Sequence, residues 1–215
     1  MMSAYEAVIF DLDGTLIDSS EGIILAAEET LEALGYPSIE RDELRSYIGP
    51  PIGEAITRRN GLGSDDLKRF NDVFRGIYKN KYLMRANVYP GVMDMLSGLR
   101  GIISVGIATN KREDMTKLLL DDLGISPLCD AAVGLDLEGK LKKKDIVEKC
   151  VSALGTADRK RIVMAGDTRN DAEAAKECGI SFIGVTYGFG FRDRSEITYG
   201  SAADDVQSLR DLLLI

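Results

Sequence analysis

The sequence predicts an α/β fold: a doubly wound, parallel, Rossmann-like sheet with an inserted all-helical domain. Three observations carry this prediction. Short apolar runs alternate with helical patterns of about ten residues after position 90. One more apolar run lies near the N-terminus, and the residues between these two parts have helical patterns without a convincing strand. We therefore expect a discontinuous core of residues 1–16 and 89–215, and a helical cap of residues 17–88.

The first predicted element is a strand over residues 5–10, which is rich in β-branched and aromatic residues. It ends at Asp11 and Asp13. Because side chains alternate along a strand, these two carboxylates should project together where Gly14 lets the chain turn. Their repulsion must be offset, and the usual agents are a divalent cation or a shared proton.

The inserted region begins with a helix that Ser19 and Ser20 are suited to cap and that Gly35 ends. Further helical patterns follow, separated by Gly and Pro residues, over residues 44–48, 52–59 and 65–83. The breaker Tyr89-Pro90-Gly91 then closes the region. We expect these helices to form one unit.

The remainder of the chain alternates between the two kinds of element. Helices are predicted over residues 92–99, 113–123, 145–154 and 171–178. Strands are predicted over residues 102–108, 131–133, 161–165 and 181–185. Ligands of such sheets bind at the carboxyl ends of the strands, so functional residues should lie there.

Three predicted strand ends carry small polar or acidic residues. Asp11 and Asp13 end the first strand, Thr109 and Asn110 end a second, and Asp167 with Asp171 follows a third. Two converging acidic pairs would bind Mg²⁺ well, because that ion prefers hard oxygen ligands.

Composition excludes several classes of function. The chain has no histidine, which removes Ser-His-Asp hydrolases and histidine-based metal enzymes. Its net charge of −8 argues against nucleic acid or an anionic membrane as a partner. Cys129, Cys150 and Cys178 form no paired motif, and no apolar run is long enough to span a membrane, so we expect a cytoplasmic protein.

Four groups of residues occur in order along the chain: Asp11-Leu12-Asp13-Gly14-Thr15, Thr109-Asn110, a lysine near position 143, and Gly166-Asp167-Thr168-Arg169-Asn170-Asp171. As a set they resemble the motifs of the haloacid dehalogenase superfamily, and the helical insert resembles the cap of its first subfamily. Phosphoglycolate phosphatase-like members are the most similar, through Asp18-Ser19, Ile48-Gly49-Pro50-Pro51-Ile52 and Tyr89-Pro90-Gly91. The resemblance covers essentially the whole chain.

The resemblance implies a phosphatase that hydrolyses a small phosphate monoester through an aspartyl-phosphate. Asp11 would be the nucleophile, and Asp13 would be the general acid and then the general base. Mg²⁺ would be held by Asp11, the backbone carbonyl of Asp13, Asp167 and Asp171, the last directly or through water.

The resemblance also implies that Thr109, Asn110 and a lysine bind the phosphoryl group. Many relatives have Lys-Pro at this point, whereas this chain has Lys142, Lys143 and Lys144 in a row. Some members place the lysine three residues before the first aliphatic residue of the following helix. That register favours Lys143.

Substrate choice should depend on the cap, which we expect to act as a lid over the site. The candidate substrate-binding residues there are Gly49 in the Gly49-Pro50-Pro51 loop, Arg45, and Arg58 or Arg59. The motifs leave open a 5′-nucleotidase, a pyrophosphatase and a phosphomutase, and the chain could be a monomer or a homodimer. A non-catalytic phosphoacceptor domain is a further alternative, although such domains lack a large helical insert.

Two glycine patterns imitate other sites. Gly134, Gly139 and Lys140 nearly form a phosphate-binding loop, but Leu141 stands where Ser or Thr must hold the metal. Three further glycines have the wrong spacing for a dinucleotide site, and we interpret their segment as a mobile loop. They are Gly184, Gly188 and Gly190.

Overall fold

A computed structural model describes residues 4–49, 51–156 and 158–214 of the chain. These residues divide into two compact units. The first unit comprises Met1–Asp18 and Val88–Ile215, and the second is the continuous segment Ser19–Asn87. Each unit is described by itself below.

The first unit contains a six-stranded sheet in which every pairing is parallel. Its strands are β1 (Ala7–Phe10), β4 (Ser104–Arg112), β5 (Ala131–Leu135), β6 (Ile162–Gly166), β7 (Ser181–Val185) and β8 (Ser201–Ala203). The spatial order is β5-β4-β1-β6-β7-β8, so β1 lies in the middle. All four residues of β1 are buried, as expected for a strand covered on both faces. The predicted doubly wound α/β fold is confirmed.

Helices follow or precede the strands of this unit and bury their apolar faces. They are α5 (Val92–Leu99), α6 (Glu113–Asp122), α7 (Lys143–Leu154), α8 (Arg169–Glu177) and α9 (Val206–Leu213). The main hydrophobic cluster joins β1, β6 and β7 to α7 and α8, through residues such as Ile9, Met164 and Ile146. This packing fixes the beginnings of α7 and α8 relative to the strand ends.

The second unit is helical. Its elements are α1 (Ser20–Leu34), α2 (Arg41–Ser46), α3 (Ile52–Arg59), α4 (Ser64–Ile77) and a π-helical turn (Tyr78–Tyr82). Gly35 ends α1 with a φ of 70°, a left-handed conformation that glycine adopts without strain. Within the described ranges, no helix combines the length and the apolar character that a membrane span requires.

Several predicted element bounds were wrong. We expected β4 to end before Thr109, but it continues to Arg112, so Thr109 and Asn110 lie inside the strand. The helix predicted to begin at residue 145 begins instead at Lys143, so this lysine is the first residue of α7. The sequence patterns also did not predict β8, α9 or two strands of two residues each, β2 (Ile17–Asp18) and β3 (Asn87–Val88). These strands are too short for their side-chain pattern to be recognised.

Candidate active site

The turn after β1 orients the two aspartates of the first motif. The amide of Asp11 donates to the carbonyl of Ala165, which extends the β1–β6 ladder by one residue. The carbonyl of Leu12 then accepts the amides of three residues, Thr15, Leu16 and Ile17. Gly14 has a φ of 85°, and a Cβ there would lie 2.2 Å from Asp167 Oδ2. Glycine is therefore required both for the turn and for the close approach of Asp167.

Three buried carboxylates meet at this edge of the sheet. Asp11 follows β1, Asp167 follows β6, and Asp171 lies in the first turn of α8. One oxygen of each lies within 4.8 Å of the others. The three residues that the sequence analysis assigned to a metal through their side chains are thus close enough to share one cation.

Lys143 is the cation that reaches this cluster. Its Nζ lies 2.5 Å from Asp11 Oδ1 and 2.8 Å from Asp171 Oδ1, and its side chain is 2% exposed. The two neighbouring lysines point elsewhere. Lys142 is exposed and its amide is capped by Asp145, whereas Lys144 forms a long ion pair with Glu177.

Asp171 also caps its own helix. Its Oδ2 accepts hydrogen bonds from the amide and the hydroxyl of Thr168, at 3.0 and 2.6 Å. The Asp171 amide in turn donates to the Thr168 hydroxyl, which completes a capping box. Both Asp171 oxygens are therefore engaged, one by Thr168 and one by Lys143.

A glycine-containing loop holds Asp167. The amides of Phe189 and Gly190 donate to Asp167 Oδ2, at 2.7 and 3.3 Å. A Cβ on Gly188 would lie 2.4 Å from the Asp167 Cβ, so only glycine fits there. The sequence analysis interpreted these glycines as a mobile loop and missed this role. Their close spacing was the available signal, because glycine permits close backbone approach.

Asp167 Oδ1 is buried without a hydrogen-bond partner among the described residues. A buried carboxylate oxygen left without a partner is costly, and such atoms usually face an ion, a water molecule or a ligand. The residues thus fit a divalent cation, through hard oxygen donors and one orphaned oxygen.

The pKa values of the cluster show an excess of negative charge. Burial, Asp171 and Asp13 together raise the pKa of Asp11 to about 7, although Lys143 acts in the opposite direction. Burial, then Asp171 and Asp11, raise the pKa of Asp167 well above its ordinary value. Burial would lower the pKa of Lys143, but the charges of Asp11 and Asp171 outweigh it and raise that pKa. A cation would relieve this excess.

Thr109 and Asn110 lie on an irregular part of β4. Between Ala108 and Arg112 the strand has two more residues than the matching stretch of β5, so it bulges at this point. The Thr109 side chain is buried, and its Oγ1 accepts the amide of Lys111 at 3.1 Å. Asn110 is partly exposed.

Lys111 is a site residue that the sequence analysis missed. Its Nζ lies 3.2 Å from Asp13 Oδ1, and its side chain is 5% exposed. Among the described residues, Lys111 and Lys143 are the buried cations, and each pairs with an aspartate of the first motif. Lys111 directly follows Thr109 and Asn110 in the sequence, but a strand predicted to end at residue 108 gave no reason to expect its side chain at Asp13.

The candidate cap residues belong to the second unit. Arg45 is exposed, and its Nη2 donates to the hydroxyl of Ser20 at 2.9 Å. Gly49 has a φ of 123°, and Pro50 lies outside the described residues. Two further candidates are exposed residues in the last turn of α3: Arg58 and Arg59.

Comparison with known proteins agrees with this geometry. Residues 8–185 match the model of the haloacid dehalogenase-like hydrolase family. A phosphoglycolate phosphatase of Chromobacterium violaceum is 31% identical over 216 residues, which cover 97% of this chain and 96% of that protein. The tyrosine-protein kinase PtkA of Mycobacterium tuberculosis is 30% identical over 213 residues, covering 97% of this chain and 72% of that protein.

A solved structure gives the same result. A haloacid dehalogenase-like family hydrolase of Streptococcus pneumoniae superposes with a TM-score of 0.86 at 29% identity, covering 97% of both chains. The resemblance inferred from the motifs is confirmed. With its carboxylates and its buried lysine at the strand ends, the chain belongs to the haloacid dehalogenase-like hydrolase family and is a phosphatase of that family.

Proposed function

We propose that the protein is a Mg²⁺-dependent phosphatase that hydrolyses a small phosphate monoester through an aspartyl-phosphate on Asp11. The observation that carries this proposal is the buried set of Asp11, Asp167, Asp171 and Lys143, in which one oxygen of Asp167 has no partner among the described residues. Such a set can hold a cation and an anionic phosphoryl group together.

In the first half of the reaction, an oxygen of Asp11 attacks phosphorus, and the bond from phosphorus to the leaving oxygen breaks. Asp13 gives its proton to that oxygen, so the product leaves as a neutral alcohol. Thr109, Asn110 and Lys143 bind the phosphoryl oxygens. In the second half, water attacks phosphorus while Asp13 takes a proton from it, the bond from phosphorus to the Asp11 oxygen breaks, and inorganic phosphate leaves.

Mg²⁺ would be held by Asp11, the backbone carbonyl of Asp13, Asp167 and Asp171. When bound, the ion supplies positive charge that lets an anionic nucleophile approach an anionic substrate. Both oxygens of Asp171 are engaged by Thr168 and Lys143, which favours a water-mediated role for this residue.

The substrate class that we propose is a small phosphate monoester of the phosphoglycolate type, because relatives named phosphoglycolate phosphatase align over 85% and 97% of the chain. A 5′-nucleotide or pyrophosphate remains an alternative. The relative named as a tyrosine-protein kinase supports one more, in which the phosphoryl group passes to an acceptor other than water, as in a mutase. Release of free phosphate distinguishes hydrolysis from transfer.

We further propose residues 1–16 and 89–215 as the catalytic core and residues 17–88 as a cap that selects the substrate. Arg45 and Gly49 are the cap residues proposed to contact it. We propose a cytoplasmic location and a small phosphorylated metabolite as partner, without nucleic acid or membrane, in agreement with the negative net charge.

The test is phosphate release from a panel of phosphoglycolate, several 5′-nucleotides, pyrophosphate and hexose phosphates, with Mg²⁺ and with chelator. Asp11→Asn is the blank, since the amide cannot attack phosphorus. We expect turnover that requires both Mg²⁺ and Asp11. Labelling of Asp11 without phosphate release from any ester would instead favour transfer to another acceptor. Turnover by Asp11→Asn equal to that of the wild type would contradict the proposed mechanism.

A further inference from the structure

The second buried lysine of the site, Lys111, has no part in the function proposed above. Its Nζ contacts Asp13 Oδ1 at 3.2 Å, and the two side chains are 5% and 18% exposed. An ion pair at this depth is more than a solvated surface contact, because burying an amine costs free energy unless a partner compensates it.

The backbone of Lys111 is fixed on three sides. Its amide donates to Thr109 Oγ1 at 3.1 Å, and its carbonyl accepts from Thr116 Oγ1 at 3.1 Å. A Cβ on Gly134 would lie 2.7 Å from that same carbonyl, so the bulge of β4 packs directly on a glycine of β5. The bulge thereby directs the Lys111 side chain toward Asp13.

We infer that Lys111 is a positioning residue for Asp13, and that it acts in the second half of the reaction, the hydrolysis of the aspartyl-phosphate. This inference rests on the proposed function. In that step the water oxygen attacks phosphorus while Asp13 takes a proton from the water. The bond from phosphorus to the Asp11 oxygen breaks, and its electron pair returns to the Asp11 carboxylate.

The Lys111 ammonium holds one oxygen of Asp13 and thereby fixes the orientation of the group that receives the proton from water. Phosphorylation of Asp11 does not depend on Asp13 when the leaving group needs no proton. A misdirected base costs rate even when its chemistry is intact. Loss of Lys111 should therefore slow dephosphorylation and leave phosphorylation of Asp11 largely unchanged.

The experiment follows dinitrophenolate release from dinitrophenyl phosphate, whose leaving group departs without a proton from Asp13. The first turnover then reports phosphorylation of Asp11, and the steady state reports hydrolysis of the aspartyl-phosphate. For Lys111→Met we expect a first turnover within about twofold of the wild type, and a steady state slower by about tenfold to a hundredfold. The phosphorylated enzyme should accumulate to nearly one equivalent.

Lys117→Met is the matched control, because Lys117 also pairs with an aspartate, Asp121, but is 79% exposed. We expect both of its rates to equal those of the wild type. In an Asp13→Asn background, Lys111→Met should slow the steady state no further than about twofold, because its effect runs through Asp13. Lys111→Gln, which keeps a hydrogen-bond donor, gives the same comparison if the Met variant does not fold.

Three outcomes would overturn the inference: equal slowing of the first turnover and the steady state, no slowing of either, or an additive loss in the Asp13→Asn background. Failure of the proposed function is distinct from these. It would show as a wild type without turnover, or as an Asp11→Asn variant with the same first turnover as the wild type.

Discussion

In the absence of a divalent cation, the protein should lose stability as the pH rises from about 5 to about 8. The cause is Asp11, whose pKa is raised from 3.8 to about 7, mainly by burial. A carboxyl with a raised pKa binds its proton more tightly in the folded state. Its contribution to stability is therefore fully present below the unfolded pKa of 3.8, and it is lost as the pH rises through the folded pKa of about 7.

The size of the effect follows from these two values. Integrating the proton linkage from pH 5 to pH 8 gives a loss of about 2–3 kcal/mol, and Asp167 adds to it in the same direction. For a chain of this length, this loss corresponds to a fall in Tm of about 5–10 °C. The chain has no histidine, so no imidazole titration obscures the slope.

The assay is differential scanning calorimetry at several pH values, with chelator and with saturating Mg²⁺. We expect Mg²⁺ to raise Tm more at the upper end of the range than at the lower end, because the ion binds the ionised carboxylates. Asp11→Asn should flatten the slope measured in chelator. A wild-type Tm that does not change over this range in chelator, or an equal slope in Asp11→Asn, would refute the reasoning.

The other predictions concern the lysine and the glycine nearest the cluster. Lys143→Met should lower kcat by about a hundredfold or more, because the phosphoryl group loses a buried cationic donor. Lys144→Met should leave kcat unchanged, since Lys144 is exposed and pairs with Glu177. Steady-state phosphate release measures kcat for both variants. Equal losses in the two variants would contradict the assignment. Gly188→Ala should weaken Mg²⁺ activation about tenfold to a hundredfold, because its Cβ would displace Asp167. Gly76→Ala, where a Cβ meets nothing within 4 Å and the backbone is not left-handed, is the control, and its Mg²⁺ titration should match that of the wild type.

Strand ends could be predicted where an apolar run stops at a charged residue. Asp11 and Asp167 were placed in this way, and the structure brings them together with Asp171. β4 shows why the method fails elsewhere. Its last residues, Thr109 to Arg112, are polar, yet they continue the strand because a bulge keeps them paired to β5. A bulge is a tertiary feature that the local side-chain pattern does not record.

The direction of a side chain was harder to predict than its position. Of the three lysines in a row, only Lys143, the first residue of α7, has a buried side chain, and nothing in the local pattern distinguishes it from its neighbours. Phe189 and Gly190 donate to Asp167 through their backbone amides. Because nearly every residue has a backbone amide, the residue types at these positions do not predict the contact. The glycines that let this loop approach Asp167 are the one part of the contact that the sequence indicates.

The position of β1 has a consequence for the order in which the molecule is assembled. Within the sheet β1 comes first along the chain, yet its two partners, β4 and β6, lie far beyond it. The segment Ser19–Asn87, whose contacts are largely its own, is completed long before either of them. Pairing of β1 therefore closes two long loops, a slow and entropically costly event. The strand that leads into Asp11 is therefore synthesised well before β6, and it is fully paired only after β6 has been synthesised.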